Sequence, residues 1–355
     1  MIQQHTVPVV GNRADGDSSA GIHFGIALPQ TAGEGAALAA RIARFSRAAE
    51  RLGFDGLWAR DRIQGREPLL EPMVALGAAA MTTSRIRLGV AVVLVPLRAP
   101  VELARTSASL DRLSGGRLEL GIGLGVDRER VRSVGLDPAR RVARMLDTID
   151  VLRAMWTGEA ITIDGRTLSV RDWMIRPTPV QPRPRIWFGG HHPDALRRAV
   201  MLGDGWIEAG SSSQADFARE MTIVREHMAD LGRDESTFGL GKRLYMAIER
   251  PGESTRQDIR QWFLDQYGKE EMADRVAVVG PPSAVVQAIL DTIDLGARLL
   301  ILHPIPDEQR HLRQLAEEIV PAVREALRSR TTASLAAEVD QRIRGAGQPA
   351  ITNRS

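Results

Sequence analysis

The stretch ASLDRLSGGRLELGIGLG, residues 108–125, decides the fold because it joins a helix to a strand. An apolar helical pattern runs to Leu113, and Gly115-Gly116 ends it, since glycine readily adopts the left-handed backbone that closes a helix. The run LELGIGLG that follows is short enough for a buried strand. The segment therefore predicts a helix-to-strand connection of the kind that α/β proteins use repeatedly.

Three glycines, Gly121, Gly123 and Gly125, stand at the carboxyl end of this predicted strand. Without side chains there, a flat ligand could lie against the backbone. Close packing between neighbouring strands is the alternative, because it also favours glycine. The sequence leaves both interpretations open.

On both sides of this segment, strand and helix patterns alternate along the chain. Such alternation implies parallel strands joined by helical crossovers. Eight units favour closure into a (β/α)8 TIM barrel over the alternative, a doubly wound open sheet. The predicted core strands are 22–28, 54–60, 86–95, 117–123, 185–190, 204–210, 239–249 and 297–304.

A single barrel domain is predicted over residues 22–328, with insertions near 157–184 and 250–282. Residues 162–173 in the first insertion are expected to form a hairpin, because Asp-Gly is a typical hairpin turn. Small and polar residues dominate both chain ends. Residues 1–21 are therefore expected to be a flexible segment and 329–355 a polar tail.

Composition argues against several classes of protein. The net charge is only +3 and aromatic residues make up 4%, so the chain offers little for binding nucleic acid or stacking on bases. There is no cysteine, which excludes disulfides, thiolate nucleophiles and cysteine metal sites. No apolar run approaches the roughly 20 residues that span a bilayer. We expect a cytoplasmic protein with a small-molecule substrate and with no membrane or nucleic-acid partner.

Two neighbouring strand ends carry loops that predict an anion site. Gly189-Gly190 precedes a helix that starts near Pro193, and Gly210 is followed by three serines. Backbone N–H groups at a helix start bind anions, and a late pair of strands is the usual phosphate position in TIM barrels. Asp194 complicates this prediction, because its carboxylate would repel an anion. Ordinary turns and helix caps are the alternative.

Other familiar sites are not supported by the sequence. The run GIGLGV does not complete the dinucleotide motif GxGxxG, and no nucleophile elbow or Walker loop is present. His191-His192 is the one pair of adjacent histidines, but neighbours on an extended chain point apart. No metal site is predicted. One histidine is expected to donate to a phosphate or substrate while the other is exposed.

The segment LSGGRLELGIG, with the ordered blocks FGIALPQ, GFDGLWARD, RPTPVQPRPRIWFGG and ALRRAVMLGDGW, resembles the luciferase-like flavin and deazaflavin oxidoreductases. The resemblance covers about 22–328 and implies a TIM barrel that holds FMN or F420 at the strand ends. It also implies a bulge behind the cofactor ring, often with a non-prolyl cis peptide. With the strand glycines added, the predicted cofactor contacts are Ala91, Val92, Gly123, Gly125, Phe188, Gly189, Gly190, His191, Glu208, Ala209, Gly210, Ser211 and Ser212.

Two departures from the family pattern concern proton transfer. Many members carry Asp-His after the second strand, where this chain has Asp61-Arg62, and some F420 sugar-phosphate dehydrogenases carry Glu where it has Val126. Asp61 and Arg62 are the predicted catalytic residues. Arg62 is expected to stabilise negative charge without moving a proton, because a guanidinium stays protonated. The alternative for Arg62 is an ion pair with Asp61 or a nearby carboxylate.

The blocks KRLYMAIE and ILHP look more like the F420-linked branch of this family. The predicted function is therefore F420-dependent hydride transfer by a reductase or dehydrogenase. A reduced-FMN monooxygenase is the first alternative, and a non-catalytic homologue that binds flavin or F420 is the second. A separate flavin or F420 reductase is an expected partner in such systems, and the sequence leaves a homodimer open.

Overall fold

The computed structural model describes residues 21–31, 35–63, 68–125, 128–250 and 252–332. The expected flexible segment, apart from Gly21, and residues 333–355 of the expected polar tail lie outside these ranges, as does Val126. Within the described ranges no helix is both long and apolar enough to cross a membrane.

Eight parallel strands close into a barrel, which confirms the predicted TIM-barrel fold. The strands of the protein are β1 (His23–Ala27), β2 (Gly56–Ala59), β3 (Arg87–Leu94), β4 (Leu118–Gly123), β5 (Ile161–Asp164), β6 (Ser169–Trp173), β7 (Arg185–Gly189), β8 (Gly205–Glu208), β9 (Gly239–Ile248), β10 (Ala277–Gly280) and β11 (Leu299–Pro304). The ring runs in the order β1-β2-β3-β4-β7-β8-β9-β11. Parallel pairing of β11 with β1 closes it.

The remaining strands belong to the two insertions. β5 and β6 form the expected antiparallel hairpin outside the barrel. β10 lies in the second insertion and was not predicted as a strand. It pairs with residues 245–248 of β9, whereas β8 pairs with residues 239–242. The ten-residue β9 therefore extends beyond β8 and leaves an edge that β10 covers.

Helices connect the strands and cover the outside of the barrel. They are α1 (Gly35–Arg51), α2 (Pro72–Ala80), α3 (Pro100–Ser114), α4 (Arg128–Ser133), α5 (Arg141–Met155), α6 (Pro193–Leu202), α7 (Gln214–Asp230), α8 (Arg256–Tyr267), α9 (Met272–Val276), α10 (Pro282–Asp294) and α11 (Glu308–Gln314). Gly115 ends α3 in the left-handed conformation, as expected. Helical backbone continues after α11 to residue 332, so residues 329–332 are helix and not tail.

Two indole rings fill the interior of the barrel. Trp58 and Trp187 meet edge to face with ring centroids 6.3 Å apart. Glycines surround them, because a Cβ at Gly56 would lie 2.7 Å from Nε1 of Trp58 and a Cβ at Gly89 would overlap the same ring. Nε1 of Trp187 donates to Glu119 at 2.7 Å. The two rings therefore form part of a packed barrel interior with Ala91, Ile207 and Ile301.

Gly89→Ala is expected to lower the stability of the protein by about 3 kcal/mol, because the added methyl overlaps the Trp58 ring and a packed core cannot absorb it. Gly77→Ala is the matched control. Gly77 lies in α2 with no atom within 4 Å of an added Cβ, so alanine there should stabilise by about 1 kcal/mol. Denaturant unfolding measures both changes. A Gly89→Ala midpoint equal to that of the parent would contradict the packing described.

Candidate functional site

A cavity of about 1110 Å³ opens at the carboxyl ends of the barrel strands. Its walls come from the loops after β2, β4, β7 and β8, from β3 and β9, and from the end of α8. Most predicted site residues meet here, while Glu208 and Ser212 are not among the residues that line the cavity. The predicted residues that do line it are Asp61, Arg62, Ala91, Val92, Gly123, Gly125, Phe188, Gly189, Gly190, His191, Ala209, Gly210 and Ser211.

The wall formed by β3 carries the expected irregularity. The Ala91–Val92 peptide bond is cis, and the pairing of β3 with β4 shifts its register between Val90 and Val93. The predicted bulge is therefore confirmed. Nη2 of Arg243, from β9, donates to the carbonyl oxygen of Ala91 at 3.0 Å and ties the bulge across the barrel.

The glycines of β4 and β7 accommodate this bulge. A Cβ at Gly123 would lie 2.6 Å from Cγ2 of Val92, and one at Gly189 would lie 2.9 Å from its Cγ1. A Cβ at Gly121 would overlap the carbonyl oxygen of Val90. Close packing therefore accounts for all three glycines. Gly123 and Gly189 also line the cavity, so the packing and ligand interpretations both apply to them.

Asp61 fixes the end of β3. Its side chain is 4% exposed, it accepts from the backbone N–H of Leu94 at 3.0 Å, and it pairs with Arg98 at 2.8 Å. Arg98 pairs with Glu71 at the same distance. Burial lowers the pKa of Arg98, but the charges of Asp61 and Glu71 outweigh it and raise that pKa. Asp61 therefore positions Arg98 and the backbone at the end of β3.

Arg62 reaches toward the second insertion. Its Nη1 donates to the backbone carbonyl of Gln266, near the end of α8. The side chain therefore joins the loop after β2 to the helix that covers one side of the cavity. Its guanidinium remains at the cavity wall, where a permanent positive charge can act on a ligand.

The amide donors expected at the start of α6 are used inside the loop itself. The N–H of Asp194 donates to Nδ1 of His192 at 3.2 Å, and those of Ala195 and Leu196 donate to the carbonyl oxygen of His192 at 2.7 and 3.1 Å. These three amides are therefore occupied, while the anion site of the loop as a whole stays a prediction. A cap residue occupies them, as at most helix starts.

The loop after β8 is built around Glu208. This buried carboxylate accepts from the amides of Gly210, Ser211 and Ser212 at 2.8–3.0 Å and pairs with Lys242 at 2.8 Å. The expected amide donors of this loop are therefore also occupied. Glu208 and Ser212 are buried and lie behind the cavity wall. The amides and Lys242 together supply the partners that a buried carboxylate requires.

His191 is a group in these two loops that can present a positive charge to an anion. Its Nε2 lies 2.6 Å from Oγ of Ser211, and its Nδ1 lies 2.9 Å from Oε1 of Glu220. Burial lowers the pKa of His191, but the hydrogen bond with Glu220 and the charges of Glu208 and Glu220 outweigh it, so the pKa is raised. The imidazolium form is thus favoured beside a hydroxyl, which suits a phosphate. His192 is exposed, as expected of one histidine of the pair.

Four cavity residues were not identified as functional from the sequence: Arg60, Arg243, Tyr245 and Tyr267. The hydroxyls of Tyr245 and Tyr267 are 2.6 Å apart, and the guanidinium of Arg60 lies 5.0 Å from the ring centre of Trp262. Alternation along β9 was the available signal, because it directs residues 243 and 245 to the same face. Nothing local indicated that α8 returns to this face.

The cavity is strongly cationic. Arginines from four regions of the chain line it, and Asp61, one of its few acidic residues, is already paired with Arg98. Such a surface attracts anionic ligands and repels cationic ones. The lining arginines are Arg60, Arg62, Arg128, Arg130, Arg141, Arg198 and Arg243.

Known proteins share this architecture. An F420-dependent glucose-6-phosphate dehydrogenase of Beutenbergia cavernae is 30% identical over 311 residues, which covers 78% of this chain and 91% of that protein. A solved F420-dependent secondary alcohol dehydrogenase, in complex with an F420-acetone adduct, has a TM-score of 0.73 at 16% identity and covers 85% of this chain and 99% of its own.

A second solved structure represents the FMN-dependent proteins with this fold. The oxygenating constituent of 3,6-diketocamphane monooxygenase from Pseudomonas putida, in complex with FMN, has a TM-score of 0.64 at 16% identity. It covers 84% of this chain and 98% of its own. A family model described as luciferase-like monooxygenase matches residues 22–299. The resemblance seen in the sequence is confirmed: this chain belongs to the luciferase-like monooxygenase family.

Proposed function

We propose that this protein is an F420-dependent oxidoreductase that moves a hydride between the deazaflavin and a small organic substrate. The observation that carries the proposal is the similarity to an F420-dependent dehydrogenase over most of both chains. The cationic cavity supports it. F420 ends in a phosphate-linked acidic tail, so it has more negative charge to place against arginines than FMN has.

The residues of the cavity fit such a cofactor. Val92 projects from the bulge as an apolar wall, and Gly123 and Gly189 beside it leave room for a flat ring. Nε of Arg243 is buried and has no hydrogen-bond partner in the described part of the chain. Buried donors are normally paired, so this N–H would find its acceptor on a bound ligand. We propose that His191 and Ser211 hold the phosphate.

The chain contributes position and charge to the reaction. When bound, the deazaflavin supplies the hydride chemistry. Val92 would support one face of the ring, and Arg62 and Arg243 would stabilise negative charge that develops near it. Asp61 would keep the β3 bulge in place through Leu94 and Arg98. Ala209 and Gly210 would form the wall beside the phosphate.

A reduced-FMN monooxygenase is the second candidate, because an FMN complex has the same barrel. A non-catalytic binding homologue is the third. Assays under nitrogen with oxidised F420 and propan-2-ol, cyclohexanol or glucose 6-phosphate test the first candidate through loss of the oxidised absorbance. Oxygen uptake with reduced FMN as the cofactor would support the second. Cofactor binding without either reaction would support the third.

His191 makes a pH dependence of cofactor binding a direct prediction. Its raised pKa keeps it charged to a higher pH than an ordinary histidine, so F420 affinity should be full below that pKa and fall as pH rises through it. Glu220→Gln should move this fall to lower pH, because it removes the charge that stabilises the imidazolium. Fluorescence titrations of F420 between pH 5.5 and about 9 measure the effect. A pH-independent affinity in both proteins would contradict the assignment.

Partner enzymes, cellular location and assembly are part of the same proposal. A separate F420 or flavin reductase would return the cofactor to its working state. A cytoplasmic location and assembly as a homodimer also remain proposals, as does the division of the chain into one barrel domain with two terminal segments.

A further inference from the structure

The chain contains two tyrosines, and they meet at the cavity. Tyr245 comes from β9 and Tyr267 is the last residue of α8, and their hydroxyls are 2.6 Å apart. Tyr245 is 1% exposed, whereas Tyr267 is 37% exposed. Tyr267 is therefore the member of the pair that a ligand and solvent can reach.

Two fixed positive charges flank this tyrosine pair. Nη1 of Arg60 donates to the side chain of Gln266, next to Tyr267, at 3.2 Å. Arg243 stands two residues before Tyr245 in β9 and donates to the carbonyl oxygen of Ala91. The pair thus lies within reach of the same arginine that holds the bulge where the cofactor ring is expected.

Three further titratable groups lie around the pair. The ring of His303, from β11, lies 4.8 Å from that of Tyr245, and burial together with Arg60 and Arg243 lowers its pKa, so it is neutral. Asp265, which also lines the cavity, accepts from Nε2 of Gln261 at 3.1 Å. Arg62 reaches the backbone at Gln266 and adds a further positive charge.

The two hydroxyls differ in acidity because of these neighbours. Burial raises the pKa of Tyr267, but the charges of Arg60 and Arg243 and the hydrogen bond from Tyr245 outweigh it, so the pKa falls below its ordinary value. Burial and the neighbouring Tyr267 raise the pKa of Tyr245. Tyr267 is consequently the member of the pair that ionises more readily, and once it is ionised only Tyr245 can donate in their hydrogen bond.

Hydride transfer from an alcohol also requires a proton acceptor. Arg62 cannot accept a proton, Asp61 is paired with Arg98, and His191 is held by Glu220 and Ser211. Tyr267 is partly exposed, lines the cavity and is hydrogen-bonded to Tyr245, so its hydroxyl can meet a substrate and exchange a proton with it. It lies in the second insertion, at the end of α8.

Resting on the F420-dependent function with an alcohol or its carbonyl product as substrate, we propose that Tyr267 exchanges a proton with the substrate oxygen. In oxidation, the carbinol C–H bond breaks and its hydrogen leaves with both electrons to the deazaflavin. The O–H proton moves to the Tyr267 phenolate as the C=O bond forms. In reduction, the Tyr267 phenol returns that proton to the carbonyl oxygen.

Carbon-13 labelling of the tyrosine ring at Cζ gives the first test, because the whole chain contributes only two resonances. One resonance should titrate below the ordinary pKa of 10.0, and Tyr267→Phe should remove it. Tyr245→Phe should move the remaining titration to higher pH, because it deletes the hydroxyl that stabilises the phenolate. Titration of Tyr267 at or above 10.0 in the parent overturns the proposal.

The second test measures turnover of propan-2-ol, cyclohexanol and glucose 6-phosphate with F420. Tyr267→Phe should lower kcat by about 100-fold or more, while the F420 Kd and the thermal midpoint stay unchanged. Oxidation by the parent should accelerate as pH rises through the Tyr267 pKa, and Tyr245→Phe should move that rise upward.

The outcomes separate this inference from the function on which it rests. A parent protein that fails to bind F420 rejects the F420-dependent function. F420 binding without reduction by any of the three alcohols rejects these alcohols as substrates and, when oxygen uptake with FMN is also absent, supports the non-catalytic homologue. Parental turnover and an unchanged pH profile in Tyr267→Phe reject the proton-transfer role while leaving F420 dependence in place.

Discussion

Lys242→Met is expected to destabilise the protein by about 3–5 kcal/mol, because it leaves Glu208 buried without its positive partner. The two side chains are 2% and 0% exposed and lie 2.8 Å apart. Nζ of Lys242 also donates to the carbonyl oxygen of Ser212 at 2.9 Å and lies 4.7 Å from the ring centre of Phe217. Methionine preserves the apolar packing but removes the charge and both hydrogen bonds.

The double variant Glu208→Gln/Lys242→Met is the matched control. A glutamine oxygen can still accept from the amides of residues 210–212, and no uncompensated charge remains. Denaturant unfolding should therefore show a smaller loss for the double variant than for Lys242→Met alone. A single variant as stable as the parent would mean that the ion pair does not maintain the loop.

Gly190→Val is expected to weaken F420 binding by about 100-fold or more, which corresponds to at least 2.7 kcal/mol. Gly190 has a φ of +137°, a conformation that side chains disfavour, and an added Cβ would lie 2.9 Å from that of Ala195. Its carbonyl oxygen also accepts from Nε1 of Trp206 at 3.0 Å. Relief of the clash must displace the loop that presents His191.

Gly232→Val supplies the control for backbone strain. Gly232 follows α7 with a φ of +60°, and no atom lies within 4 Å of an added Cβ. Both variants should lose about 1–3 kcal/mol of stability, because valine disfavours the positive φ at either position. Only Gly190→Val should lose affinity in a fluorescence titration. Parental affinity in Gly190→Val would place the phosphate elsewhere.

The barrel could be predicted because its signals are local. Apolar runs of strand length, helical spacing and the glycine stop at Gly115 each depend on a few adjacent residues. The bulge at Ala91–Val92 came from the family resemblance, since no local pattern in an apolar strand marks it. β10 was missed because its four residues become a strand only through the extension of β9.

The electrostatics of the site depended on contacts between distant residues. Glu208 appears as an available carboxylate at a strand end, but Lys242, 34 residues later, pairs with it. Asp61 likewise pairs with Arg98, 37 residues later, which no local pattern indicated. Tyr267 reaches the cavity only because its helix folds back over β9. Periodicity places residues on faces, and it cannot show which partner occupies a given face.

Competitive binding of F420 and FMN tests the central claim most directly. F420 fluorescence is titrated with the protein, and FMN is then added as a competitor at the same pH and ionic strength. The account predicts saturable F420 binding at least about 10-fold tighter than FMN binding, a difference of about 1.4 kcal/mol. FMN that binds as tightly as F420, or more tightly, would contradict the proposal that this cavity serves an F420-dependent oxidoreductase.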